Sequence, residues 1–137
     1  MTLPVRVTRG ALEAVLAHAR REPGMECCGL LAGRAGVITT VLPAKNALGS
    51  ATAFEIAPAE LFALFRHMRA HGLDHLGIYH SHPAGDNAPS PRDIERAYYP
   101  DAAYVIVSPR EDSPRPVRAF SIREEGVAEM AIETAPG

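Results

Sequence analysis

The chain has 137 residues, 47% of them hydrophobic and 22% charged, with a formal net charge of −2. That length suits one domain with a sizeable core, and the near-neutral balance offers neither a basic face for nucleic acid nor a cationic face for a membrane surface. The only cysteines, Cys27 and Cys28, are neighbours that would close a strained ring, which excludes a disulfide framework and fits a reducing, cytoplasmic setting.

The opening residues carry no apolar signal core, and no apolar run approaches the length of a membrane span. Residues 3–8 alternate and predict a first strand. Thr8 can cap a helix whose apolar stripe is Leu12, Val15, Leu16 and Ala19, ended by Glu-Pro-Gly at 22–24. The continuous apolar run 27–32 predicts a strand buried on both faces, and a Gly-Arg-Ala-Gly turn returns the chain as a hairpin partner over 37–42. After a loop of small residues, Pro58 opens a second helix with Leu61, Leu64, Phe65 and Met68 on its buried side. Residues 73–82 alternate, which places Leu76, Ile78, His80 and His82 on one face of a strand. Ser90-Pro91 starts a third helix reaching about Tyr99, residues 102–108 form a further buried strand, and two final strands follow at 113–122 and 127–133. The last four residues should be loose. This order implies an α/β domain, a mixed sheet with helices packed on it.

The chemistry concentrates in Tyr-His-Ser-His-Pro, residues 79–83, and the stretch that follows it. Residues i and i+2 of a strand point to one side, so His80 and His82 can converge on one atom. With Asp93 they make three ligands of types that suit zinc, and three protein ligands leave a position for water, as catalytic zinc sites do. Zinc lowers the pKa of its water to roughly 7, and a nearby carboxylate that is not a ligand takes the proton. Glu26, just before the buried strand, is the candidate base, and Ser90 can donate a hydrogen bond to a developing oxyanion.

Each piece also has a plainer reading. Ser90-x-x-Asp93 fits a helix capping box, and an isolated His-x-His pair is a weak signal. Glu26 alone reads as a surface acid, and Cys27 and Cys28 as small core residues. His18, His67, His71 and His75 read as solvated or packed, Tyr98 and Tyr99 as packing, and Asp86 as a poorer ligand than Asp93. The conjunction of five residues, filling every role of a zinc hydrolase, outweighs the separate plain readings.

That conjunction resembles the JAMM motif of the JAB/MPN-domain metalloproteases: a glutamate on an early strand, then His-x-His-Pro, six residues, Ser, two residues, Asp. Here it is Glu26, His80-Ser81-His82-Pro83, six residues from Ala84 to Pro89, Ser90 and Asp93. The resemblance implies a cytidine-deaminase-like α/β sandwich, a mixed sheet flanked by three helices, as a single domain over 1–134 with a loose tail at 135–137. It implies one Zn2+ held by His80, His82 and Asp93, with Glu26 as general acid/base and Ser90 stabilising the tetrahedral intermediate. The short chain, with Lys45-Asn46, residues 54–58 and residues 117–120, is similar to the prokaryotic branch. Membership there implies hydrolysis of a peptide or isopeptide bond after the C-terminal Gly-Gly of a ubiquitin-like sulfur-carrier protein. Alternatives are a small-molecule amidohydrolase with the same site and a non-catalytic MPN scaffold; scaffolds of that kind usually lack a ligand, and none is missing here.

Overall fold

The computed structural model of the chain describes residues 2–137. The elements, in order, are β1 (Val5–Thr8), α1 (Arg9–Arg21), β2 (Cys28–Arg34), β3 (Val37–Ala44), α2 (Pro58–Ala70), β4 (Asp74–Ser81), α3 (Pro91–Glu95), β5 (Ala103–Val107), β6 (Val117–Arg123), β7 (Gly126–Met130) and β8 (Ile132–Ala135). All eight strands form one mixed sheet in the order β7-β6-β5-β4-β2-β3-β1-β8. It carries three helices, the expected mixed α/β architecture.

Local chemistry starts and stops the helices. Thr8 Oγ1 accepts a hydrogen bond from the Ala11 N–H at 3.2 Å and caps α1, while Pro58 occupies the first turn of α2, where its missing N–H costs nothing. The sheet has an apolar cluster on each face. On one, α1 lays Ala11, Val15 and Ala19 against Leu31, Tyr79, Val105 and Val107. On the other, Met68 of α2 packs with Leu30, Ile78, Tyr104 and Ile106. Alternation along β2, β4 and β5 sends successive side chains to opposite clusters, so the central strands are apolar throughout.

β7 and β8 lie at opposite edges of the sheet, yet only Ala131 separates them. The sheet must therefore curl until its two edges approach, and it wraps around α1. Val5 N–H donates to the Ala131 carbonyl at 2.9 Å at that seam.

Four expectations need correction. Leu76 does not share a face with Ile78: the β2–β4 register shifts between Leu31 and Ala32, and Leu76 packs into the α1 cluster. α3 stops at Glu95 rather than Tyr99, because the Tyr99 N–H turns away to donate to the Tyr104 hydroxyl at 2.9 Å. The final strand is two, divided at Ala131, where the chain passes from one sheet edge to the other. The tail is tied down as far as Ala135, which pairs with Thr8 in the parallel β1–β8 ladder and is buried. Among the described residues no helix is long and apolar enough to cross a membrane.

Candidate metal centre

The site lies where β4 ends. β4 runs antiparallel to β2, with Cys28 opposite His80, and parallel to β5, with His80 beside Ile106. His80 follows Ile78 on the α2 side of the sheet, and its ring stacks on Phe54 with centroids 4.5 Å apart. His82 is the second residue beyond His80, and its N–H donates to the Val107 carbonyl, which continues the β4–β5 pairing past the end of the strand.

Three atoms converge here. His80 Nε2 and His82 Nε2 lie 3.1 Å apart, and Asp93 Oδ2 is 3.2 Å from the first and 3.0 Å from the second. Two imidazole nitrogens and a carboxylate at these separations cannot each hold a proton; their lone pairs call for one shared cation. Four-coordinate zinc, with bonds of about 2.0–2.1 Å, sets its donor atoms about 3.3 Å apart, close to the observed triangle. These residues therefore fit zinc in element, number and spacing. His82 Nδ1 lies 2.7 Å from the Asp86 carbonyl, to which it donates, and this fixes the tautomer that leaves Nε2 free to ligate.

Asp93 is held from its own helix as well. Ser90 Oγ accepts the Asp93 N–H at 3.1 Å, and the Ser90 N–H donates to Asp93 Oδ2 at 2.9 Å. The capping box is thus present, and it is also the device that aims the carboxylate at the two histidines. Serine has one hydroxyl proton and spends an acceptor lone pair on the cap, so that proton remains available to a substrate.

The electrostatics follow from burial and from the close ring of groups. Without a metal, burial opposes charge on Asp93, but hydrogen bonds from imidazoles protonated at Nε2 outweigh it and hold the carboxyl well below its ordinary range. Burial lowers the pKa of His80. For His82 burial acts the same way, but the Asp93 carboxylate and the Asp86 carbonyl more than offset it, and its pKa is raised.

Glu26 stands just before β2 and is only 4% exposed. Its Oε1 is buried with no hydrogen-bond partner among the described residues. Burial, reinforced by the Asp93 charge and opposed by His82 and Arg92, raises its pKa to about 7. A buried carboxyl without a partner is costly unless a ligand completes it. The structure therefore brings all five sequence-predicted residues to one place, and Glu26 is no surface acid.

Two positioning residues were not singled out from sequence. Ser81, fully buried between the two histidines, accepts the Cys27 N–H at 2.9 Å through Oγ, while its own N–H donates to the Cys27 carbonyl at 3.0 Å. This double clasp carries the β2–β4 pairing up to Glu26. Asn46 Nδ2 donates to the Glu26 and Ala53 carbonyls, both at 3.0 Å, and Asn46 Oδ1 accepts from the Leu48 N–H at 3.0 Å and the Glu55 N–H at 3.3 Å. It ties the backbone of Glu26 to the loop that brings Phe54 over His80. Only its place in the Lys45-Asn46 pair hinted at a role. Of the remaining residues, Tyr98 is exposed rather than packed, and the others keep plain roles. Asp86 offers its carbonyl rather than its carboxylate, and burial pushes the Cys28 thiol up to about 12. His18 is packed against Tyr79 on the opposite face.

Residues 8–123 match the family described as prokaryotic homologs of the JAB domain. The chain is 37% identical over 134 residues to the CysO-cysteine peptidase of Mycobacterium tuberculosis, covering 96% of this chain and 92% of that one. It is 39% identical over 106 residues to a desampylase of Haloferax volcanii, covering 72% of this chain and 76% of the relative. A Desulfitobacterium hafniense protein solved in solution has the same fold, with a TM-score of 0.83, 33% identity, and coverage of 96% and 93% of the two chains.

Proposed function

The chain belongs to the family of prokaryotic JAB-domain proteins, and from that premise we propose a zinc-dependent peptidase or isopeptidase that cleaves after the C-terminal Gly-Gly of a ubiquitin-like sulfur-carrier protein. The enzyme is a protease, the class its relatives are named for. The names CysO-cysteine peptidase and desampylase point to one kind of substrate, a ubiquitin-like carrier with something joined to its tail.

The observation that carries the mechanism is the triangle of His80, His82 and Asp93 beside a buried, unpartnered carboxyl. His80 Nε2, His82 Nε2 and Asp93 Oδ2 would hold the metal. Zinc supplies Lewis acidity there, polarising a carbonyl and acidifying water near neutral pH. The chain's own residues do the rest. Glu26 accepts a proton from the attacking water as the hydroxyl adds to the carbonyl carbon, and delivers it to the departing nitrogen as the C–N bond breaks. Burial disfavours the charged form of this carboxyl, which helps it hold the proton between the two steps. Ser90 turns its free hydroxyl proton towards the carbonyl oxygen as charge grows on it. We place the reaction in the cytoplasm, where the two free, buried cysteines stay reduced.

The test is cleavage of a Gly-Gly-tailed sulfur carrier from the same genome, extended by one amino acid, with mass spectrometry of the products. Release after the second glycine, abolished by a chelator and restored by zinc, is expected. An intact substrate in the presence of zinc-loaded protein would overturn the reading in favour of a small-molecule amidohydrolase.

A further inference from the structure

A pocket of about 180 Å³ opens beside the His80–Asp93 pair. Its floor is apolar, made by Leu30, Ile56, Leu61, Ile78 and Tyr104. Arg92 and Arg96, one helical turn apart around α3, stand at its wall. An apolar cavity of roughly 150 Å³ holds a benzene ring, so this one accommodates a side chain the size of leucine, methionine or phenylalanine. Cleavage after Gly-Gly leaves the pocket unfilled from the carrier side, because neither residue before the cut has a side chain. The nearest group able to enter lies on the leaving side.

The charges point the same way. Arg96 has a counter-ion in Glu55, with Nη1 and Oε1 4.0 Å apart. Arg92 is half-buried, next in sequence to the ligand Asp93, and its guanidinium has no ion pair or hydrogen bond among the described residues. Its charge is felt at Glu26, but no carboxylate is within ion-pair distance of it among the described residues, so it can take a further anion. A single amino acid joined to the tail carries one: its side chain and its free α-carboxylate diverge from the Cα next to the scissile nitrogen. A protein joined through a lysine side chain brings neither group to that place.

Resting on the Gly-Gly cleavage proposed above, we propose that this pocket receives the side chain of a single apolar amino acid released from the tail, while Arg92 binds its free α-carboxylate. The pocket thereby selects for amino-acid adducts over isopeptide-linked protein.

The experiment uses the zinc-loaded full chain and carriers that differ only after Gly-Gly: leucine, leucine amide, alanine, and an isopeptide-linked lysine. Leucine should exceed alanine by roughly tenfold or more in kcat/KM, the scale of filling an apolar pocket. The leucine acid should exceed its amide by about tenfold, the scale of one charge-assisted hydrogen bond. Arg92→Gln should bring the acid-to-amide ratio close to one, a change that a purely structural loss, acting on both substrates, would not produce. Equal rates for acid and amide, or an isopeptide cleaved as well as leucine, would overturn this inference while leaving Gly-Gly cleavage intact. Equal rates for leucine and alanine would overturn it in favour of a pocket for the carrier's own tail. No cleavage of any of the four would overturn both proposals.

Discussion

Cys28 lies directly opposite His80 in the antiparallel β2–β4 ladder. Stepping back two residues on β2 and forward two past His80 sets Glu26 against His82, and the Ser81–Cys27 clasp holds that alignment beyond the formal end of the strands. A carboxyl 55 positions before Ser81 in sequence, next to the buried Cys27–Ser81 junction, reaches the ligand cluster through strand register. Strand register thus places Glu26, as the α3 capping box places Asp93.

Glu26 should make the metal-free protein less stable as pH rises. Its carboxyl has an ordinary value of 4.5 and is raised to about 7 in the folded chain. Between those values the folded state keeps a proton that the unfolded chain has lost, so stability falls with increasing pH across that window. Glu26→Gln removes the effect. At pH 8, thermal unfolding of the chelator-treated variant should show a gain on the order of 2 kcal/mol over the parent, and at pH 4 little difference. A gap that does not grow with pH would contradict the burial of an unpaired carboxyl.

Ser90 has two separable duties. Ser90→Ala loses the cap of α3, about 1 kcal/mol of stability, together with the hydroxyl donor, which should lower kcat by roughly a hundredfold or more. Ser90→Gly, tolerated at an N-cap and lacking any side-chain donor, should recover most of the lost stability without recovering kcat. If the glycine variant regains turnover, the hydroxyl is structural only.

Asn46 binds the loop to Glu26 through one buried hydrogen bond and three partly buried ones. Asn46→Ala leaves several buried backbone groups unpaired and should cost about 2 kcal/mol or more. Because it holds Glu26 by the backbone, kcat should fall while zinc content stays unchanged. Urea unfolding, metal analysis and kinetics on one preparation would show this; a drop in bound zinc matching the drop in turnover would contradict it.

Gly29 marks the tightest spot behind the site. A Cβ there would lie 2.5 Å from the Leu42 carbonyl oxygen and 2.5 Å from Tyr79 Cε1. Tyr79 is fully buried, and its hydroxyl is fixed 2.7 Å from His18 Nδ1, so it has nowhere to move. Gly29→Ala should destabilise by about 3 kcal/mol and, by displacing the residue next to His80, weaken zinc binding. Unfolding midpoints equal to the parent's would show that the approach is not tight.

The candidate ligands could be read from sequence because the rules that place them are local. Two histidines at i and i+2 share a strand face whatever the rest of the chain does, and a Ser-Pro-x-Asp helix start aims its acid by its own capping box. Glu26 needed one non-local step, the antiparallel register, which sequence allowed without fixing. What escaped depended on distant partners. The bulge that turns Leu76 away from Ile78 is set by β2, the early end of α3 by Tyr104, and the break at Ala131 by which edge strand stands nearby. Asn46 looked like a loop residue because its link to Glu26, 20 positions away, exists only once the fold is made.

In the proposed mechanism Glu26 moves the proton while His80, His82 and Asp93 hold the metal. Zinc content and turnover of Glu26→Gln, measured on the same preparation against a Gly-Gly-extended carrier, test it most directly. The variant should hold one zinc per chain, as the parent should, and turn over at a rate lower by at least about a hundredfold. Turnover close to the parent's, or loss of the zinc along with the activity, would contradict it.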